Sequence, residues 1–422
     1  MDSDFKPAKR PAKSLPNEPK KQVADTKTEI FKTPEEVAAE QALRDASEAT
    51  QQDTAPQSAT KTAGGGWKEK MTLHWPPGKK EWITLLVIIL LIGAGIAGYM
   101  LTHNKPATIK PIPKVTAKTK TVPSTLTGLP VDPSVNQRTV TGVMIENTPW
   151  ARPQSGLGQS GVVFEAVAEA GITRFLALYQ DTAPDNIGPI RSARPYYIQW
   201  LLGFDAAYAH VGGSPDGLAD IKAWGVHDLD QFANSGSYHR IGSRAAPHNV
   251  YTSISTLSQL EVKKGYVTSH YTGFARKKKA FRKKTQPIIA KSINLSLSGP
   301  TYDVHYDYNV KTNSYLRSEG GAPHIDANTN QQISPVVVIA LVTPESQGAL
   351  DSSGAYYSNY NVIGSGTAYI FQDGTVITGQ WNKSSNTSQL TFTDAAGKTI
   401  LLNPGQTWLT AVSAISKVSY AP

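Results

Sequence analysis

The sequence predicts an α/β domain followed by a small β-rich domain, carried behind a single transmembrane helix and a disordered N-terminal tail. Three observations predict it. Strand-like and helix-like apolar patterns alternate over residues 127–270, as in folds assembled from β and α units. Beyond residue 298 the apolar runs are short and divided by turn pairs such as Asp373-Gly374 and Ala396-Gly397, which marks β-structure. Residues 82–101 carry no charge, and at ~1.5 Å per residue a helix of that length spans ~30 Å, the thickness of a bilayer's hydrocarbon core.

The elements follow in order. Residues 1–81 are expected to be a disordered cytoplasmic tail, because a segment rich in Lys, Pro, Asp and Glu cannot bury enough apolar surface to offset its ordering entropy. Within it, Thr33, Pro34 and Glu36 could cap a marginal helix over 33–52. Trp75, Trp82 and Tyr99 suit the interfaces at the ends of the apolar run. No Gly-x-x-x-Gly spacing marks that run for dimerisation, and no oligomeric state is specified. Residues 102–126, with Pro106, Pro111, Pro113 and Pro123, suit an extended stalk. In the α/β domain, strands are expected at Val140–Ile145, Val162–Ala168, Ile172–Tyr179 and Ala206–Val211. Helices are expected at Ser192–Phe204 and at Ser214–Trp224, the latter capped by Ser214. A basic linker spans 271–297. In the domain at 298–422, strands are expected at Tyr302–Tyr308, Val336–Thr343, Gly366–Phe371, Thr375–Trp381, Leu390–Thr393 and Thr399–Leu402.

The net charge of +9 lies almost wholly beyond the apolar run, with 28 Lys/Arg against 20 Asp/Glu in residues 102–422. Such a surface favours anionic partners. Seven of the nine residues from Arg276 to Lys284 are basic. The absence of cysteine excludes disulfides, thiolate metal sites, cysteine nucleophiles and a lipid-bearing cysteine. No phosphate-binding loop, dinucleotide fingerprint or nucleophile elbow is present. No cofactor is expected. His324 and Asp326 are too few for a metal site, so no metal is expected either.

The most suggestive segment is Gly188-Pro189-Ile190-Arg191-Ser192-Ala193-Arg194. A helix starting at Ser192 would place Arg191 and Arg194 at its positive end, where a bound anion would be favoured. The alternative is that these arginines pair with Glu146, Glu165 or Glu169. Arg240, Arg244 and His248 form a second basic cluster, and His210 or His248 could serve as a general base.

Several blocks of the globular region resemble the bacterial YerB-like lipoprotein family. They include Met144-Ile145-Glu146-Asn147, Ala151-Arg152-Pro153-Gln154-Ser155-Gly156, Gly188-Pro189-Ile190-Arg191-Ser192-Ala193-Arg194, His210-Val211-Gly212-Gly213-Ser214 and Ala246-Pro247-His248-Asn249-Val250-Tyr251. In the last domain Gly379-Gln380-Trp381 and Pro404-Gly405-Gln406-Thr407-Trp408 are similar as well. The resemblance implies two domains outside the cytoplasmic membrane. The transmembrane helix is then expected to replace the family's lipid anchor, with the N-terminus inside and the globular domains outside. Flanking lysines do not set this orientation. The expected partners are the lipid bilayer and an anionic cell-wall polymer, not nucleic acid. The resemblance supplies no activity. The residues suggest an envelope protein that binds an anionic glycopolymer or peptidoglycan group, or alternatively an enzyme acting on a phosphorylated or glycan substrate.

Overall fold

The computed structural model describes residues 79–103, 120–282, 285–351 and 353–422. The expected tail up to residue 78, its short helix and most of the stalk lie outside the described residues.

The transmembrane expectation is corrected. Residues Lys79–His103 are α-helical, but among the described residues no helix is long and apolar enough to cross a membrane. The single-pass topology, the bilayer as a partner, the inside/outside assignment and the replacement of a lipid anchor by this helix therefore lose their basis.

The α/β-then-β order of segments is present, and one large sheet joins them. From edge to edge it runs Thr391–Thr393, Thr375–Lys383, Gly364–Gln372, Val337–Val342, Thr407–Val412, Val162–Glu169, Ile172–Tyr179, Thr141–Glu146, Ala207–Ala209 and His227–Asp228. The strand Thr407–Val412 lies parallel to both its neighbours, pairing Thr407 with Val337 on one side and Val162 on the other. A central strand must be apolar on both faces, and Val337–Val342 is: Val337, Ile339 and Leu341 enter one core, Val338 and Ala340 the other. The first core is closed by the helix Pro195–Leu202, whose Trp200 stacks on Phe164 at 5.0 Å. The second is closed by the helix Ile254–Lys264 and by a five-stranded antiparallel sheet that contributes Ile293, Leu295, Tyr306 and Tyr315.

Local rules explain where elements start and stop. Asp373 and Gly374 both adopt positive φ, the geometry of a tight hairpin turn. Ser214 caps Pro215–Ala223 as expected, its hydroxyl accepting from Gly217 N. The helix expected from Ser192 instead begins at Pro195. A residue before proline is pushed out of the helical region, and Arg194 is accordingly extended, with φ −140° and ψ 150°. Thr399–Leu402 forms isolated bridges rather than a strand. The basic segment is strapped down where it begins. The Arg276 guanidinium donates to the carbonyls of Leu126 and Asn403, and Lys277 pairs with Asp373 at 2.7 Å.

Candidate functional site

Four stretches of backbone lie side by side at the end of the strand Thr141–Glu146. Arg191 N donates to Met144 O and Glu146 N to Pro189 O. Ile190 N in turn donates to Val250 O, and Val250 pairs with Arg240. Glu146, Arg191, His248 and Arg240 are therefore brought to one region by hydrogen bonding between distant segments. Gly188 permits the close approach: a Cβ there would stand 2.8 Å from Val250 O.

At the centre is the Glu146 carboxylate, 1% exposed. Its Oε1 accepts from His248 Nδ1 at 2.7 Å and from the Thr148 hydroxyl at 2.9 Å. The Arg191 Nε lies 3.5 Å from the same oxygen, too far for a good hydrogen bond. Glu146 Oε2 and Arg191 Nε are both buried without a hydrogen-bond partner. Burial pushes the Glu146 carboxyl up, but the His248 hydrogen bond and the Arg191 charge outweigh it and hold it below the usual carboxylate range. The side chains of His248 and Arg191 are 17% and 24% exposed, so the cluster opens to solvent through its basic members.

Neighbouring cations border this opening. Arg244 donates to the carbonyls of Pro153 (2.7 Å) and Trp150 (3.4 Å), and Arg240 to the Asn249 side chain at 2.6 Å. Arg152 bridges Asn147 and Glu319. Among Arg191, Arg240, Arg244 and Glu146 the formal charge is +2.

The other expected site residues lie elsewhere. Arg194 is buried, bonded to Glu169 at 2.6 Å and placed 4.7 Å over the Tyr357 ring. Arg174 shares Glu169, and the two guanidinium charges hold that carboxyl below its ordinary range despite burial. Arg191 and Arg194 thus turn to different carboxylates instead of sharing a helix face. Ser192 precedes the helix, and its carbonyl accepts from Arg174. His210 is fully buried, with Nε2 3.0 Å from Asp228 and Nδ1 2.8 Å from Gly212 O. Both nitrogens are engaged, which leaves none for base catalysis. His324 accepts from Arg317 Nε and donates to Gln154, and burial pushes its pKa well below the ordinary value. No group of three His, Cys, Asp or Glu among the described residues could hold a metal ion.

From the sequence, Glu146 is one of three carboxylates that could pair with the arginines or with each other for acid/base work, and Thr148, Trp150 and Arg152 carry no site expectation. The available signal was an acidic residue closing a strand, Thr141–Glu146, that is buried along its whole length. The loop behind it, Asn147 to Gln154, carries an aromatic and an arginine between two prolines.

One mixed sheet shared by two sequence segments defines the fold. The chain belongs to the DUF3048 family of proteins of unknown function: residues 126–267 match its N-terminal domain and residues 293–409 its C-terminal domain. It is 30% identical over 301 residues to the "Putative lipoprotein YerB" of Bacillus subtilis strain 168, covering 71% of this chain and 89% of that protein. A crystal structure of the YerB protein from Bacillus subtilis superposes with a TM-score of 0.63 at 28% identity, covering 71% of this chain and all of the other.

Proposed function

We propose that this is an envelope protein that binds an anionic group, of the kind carried by cell-wall polymers, at the surface formed by Arg191, Arg240, Arg244 and His248. The name of the similar Bacillus subtilis protein supports the envelope location. One observation carries the binding reading: the Arg191 side chain is 24% exposed, while its buried Nε lies 3.5 Å from Glu146 without a hydrogen bond. The pair is loose, and a guanidinium fork in that state matches a phosphate or carboxylate well. Arg194 and Ser192 frame the segment rather than touch the ligand.

The test is thermal unfolding in phosphate against chloride at matched ionic strength. Phosphate at about ten times its Kd should stabilise the folded protein by about 1.4 kcal/mol, raising the midpoint. Arg191→Gln combined with Arg244→Gln should remove that increment. An unchanged phosphate response in the double variant overturns the reading.

A second reading, an enzyme acting on a phosphorylated or glycan substrate, has the His248–Glu146 contact of 2.7 Å in its favour. A carboxylate on Nδ1 orients the ring and fixes its tautomer, the arrangement a general base requires. Turnover lost in His248→Ala with binding retained would select this reading.

A further inference from the structure

Two large aromatic side chains are exposed beside the basic cluster. Trp150 is 74% exposed and Phe232 is 70% exposed. Trp150 sits on the short helical turn Pro149–Ala151, two residues beyond Thr148, whose hydroxyl reaches Glu146. Its carbonyl accepts from Arg244, which ties the turn to the cationic loop. Phe232 lies against Gly212, where a Cβ would stand 3.1 Å from its ring. The 211–213 segment is bonded to the arginine segment, with Val211 N donating to Arg191 O and Ala193 N to Gly212 O. Both aromatics are thus tied through bonded backbone to the segments that carry the basic cluster.

Neither ring closes a core, and leaving a Trp in water forgoes a large burial gain. Flat apolar faces next to hydrogen-bonding cations are complementary to a ring that is apolar on its C–H face and polar at its rim. A sugar has that form, and an acidic or phosphorylated sugar also supplies the charge the arginines accept.

We infer that the ligand of this surface is an anionic saccharide, its charge held by Arg191 and its ring stacked on Trp150, with Phe232 as a second platform. The inference rests on the anion-binding reading and adds the chemical class of the group bearing the charge.

The test is calorimetric titration of the full-length protein with ring-bearing anions, tetragalacturonate and N-acetylglucosamine 1-phosphate, against ringless anions, inorganic phosphate and glycerol phosphate. The ring-bearing anions should bind about five- to tenfold tighter than the ringless ones. Trp150→Ala, an exposed change that leaves the core intact, should erase that advantage and leave phosphate affinity unchanged. Arg191→Gln should weaken both classes. Equal affinity for the two classes, or a Trp150→Ala variant that keeps the preference, overturns the saccharide inference while leaving anion binding in place. If neither class binds, or Arg191→Gln changes nothing, the anion-binding reading fails instead. An acidic peptide that binds tighter than either sugar would also overturn the inference.

Discussion

Two carboxylates of the same sheet, Glu165 and Glu146, sit in opposite circumstances. Glu165 lies mid-strand between the two sequence segments and is saturated. Arg317 donates to its Oε1 at 2.8 Å, and Trp408 and Thr410 donate to its Oε2 at 2.9 and 3.1 Å. The Arg317 guanidinium, fully buried, also lies 4.5 Å over the Trp408 ring and donates to His324 and Tyr306. Glu146 lies at a strand end, with one oxygen bonded and the other without a partner. A complete set of partners fixes a fold, whereas an incomplete set at an opening can accept something from outside. Residue type alone does not separate the two roles.

The largest expected effect falls at the saturated centre. Arg317→Ala should cost about 3–5 kcal/mol, because it strands a buried carboxylate. Urea unfolding followed by both tryptophan fluorescence and far-UV dichroism should show the loss in a single transition, since one sheet runs through both segments. A loss below about 1 kcal/mol, or two separated transitions, would break the contrast.

A smaller effect tests the open carboxylate against a third, Glu261. Burial pushes Glu261 up to about 7, with only the Thr141 and Ser258 hydroxyls opposing the shift. A raised carboxyl contributes stability that is full below its unfolded pKa and is lost as pH rises through about 7. Glu261→Gln should therefore stabilise the protein by about 1–2 kcal/mol at pH 8 and be near neutral at acid pH. Glu146 is shifted the other way. Its contribution is present above the unfolded pKa and disappears as pH falls through the lower folded one. Glu146→Gln should destabilise by about 1–2 kcal/mol at neutral pH, less as the buffer is acidified. Urea midpoints between pH 4.5 and 8.5 check both, and the same sign at pH 8 would refute the assignment.

The smallest effect is expected at Arg191. Half-buried and loosely paired, it should cost less than about 1 kcal/mol when changed to Gln, even though it carries the proposed binding. A loss comparable to that of Arg317→Ala would make it a structural residue.

Much of the fold was legible in the sequence. Ile172–Tyr179 stands where its periodicity places it, and Ser214 caps the helix its position predicts. Local patterns carry that information. The strands Ser314–Glu319 and Thr407–Val412 were not anticipated. The first holds Arg317 and Glu319 in the buried network, so its polarity obscures its burial, and only the folded neighbours explain it. The site was partly legible for a similar reason. The basic residues stood out by type, but Arg191 and Arg194 could not be assigned to Glu146 and Glu169 without knowing which backbones are bonded. A proline at 195 was the one local clue that the helix starts too late to bring the two arginines onto one face.

The parallel strand Thr407–Val412 also sets an order of events during synthesis. Its Thr410 meets Glu165 across 245 residues of chain. At roughly 5–20 residues per second the ribosome takes roughly ten to fifty seconds to make that stretch. Until then the stretch Val162–Glu165 has no ladder partner on that side, and Glu165 lacks Trp408 and Thr410. An unpaired apolar edge is a template for wrong pairings, and contacts this distant in sequence form slowly. The nascent protein therefore has a long interval in which chaperones that shield β-edges should govern its yield.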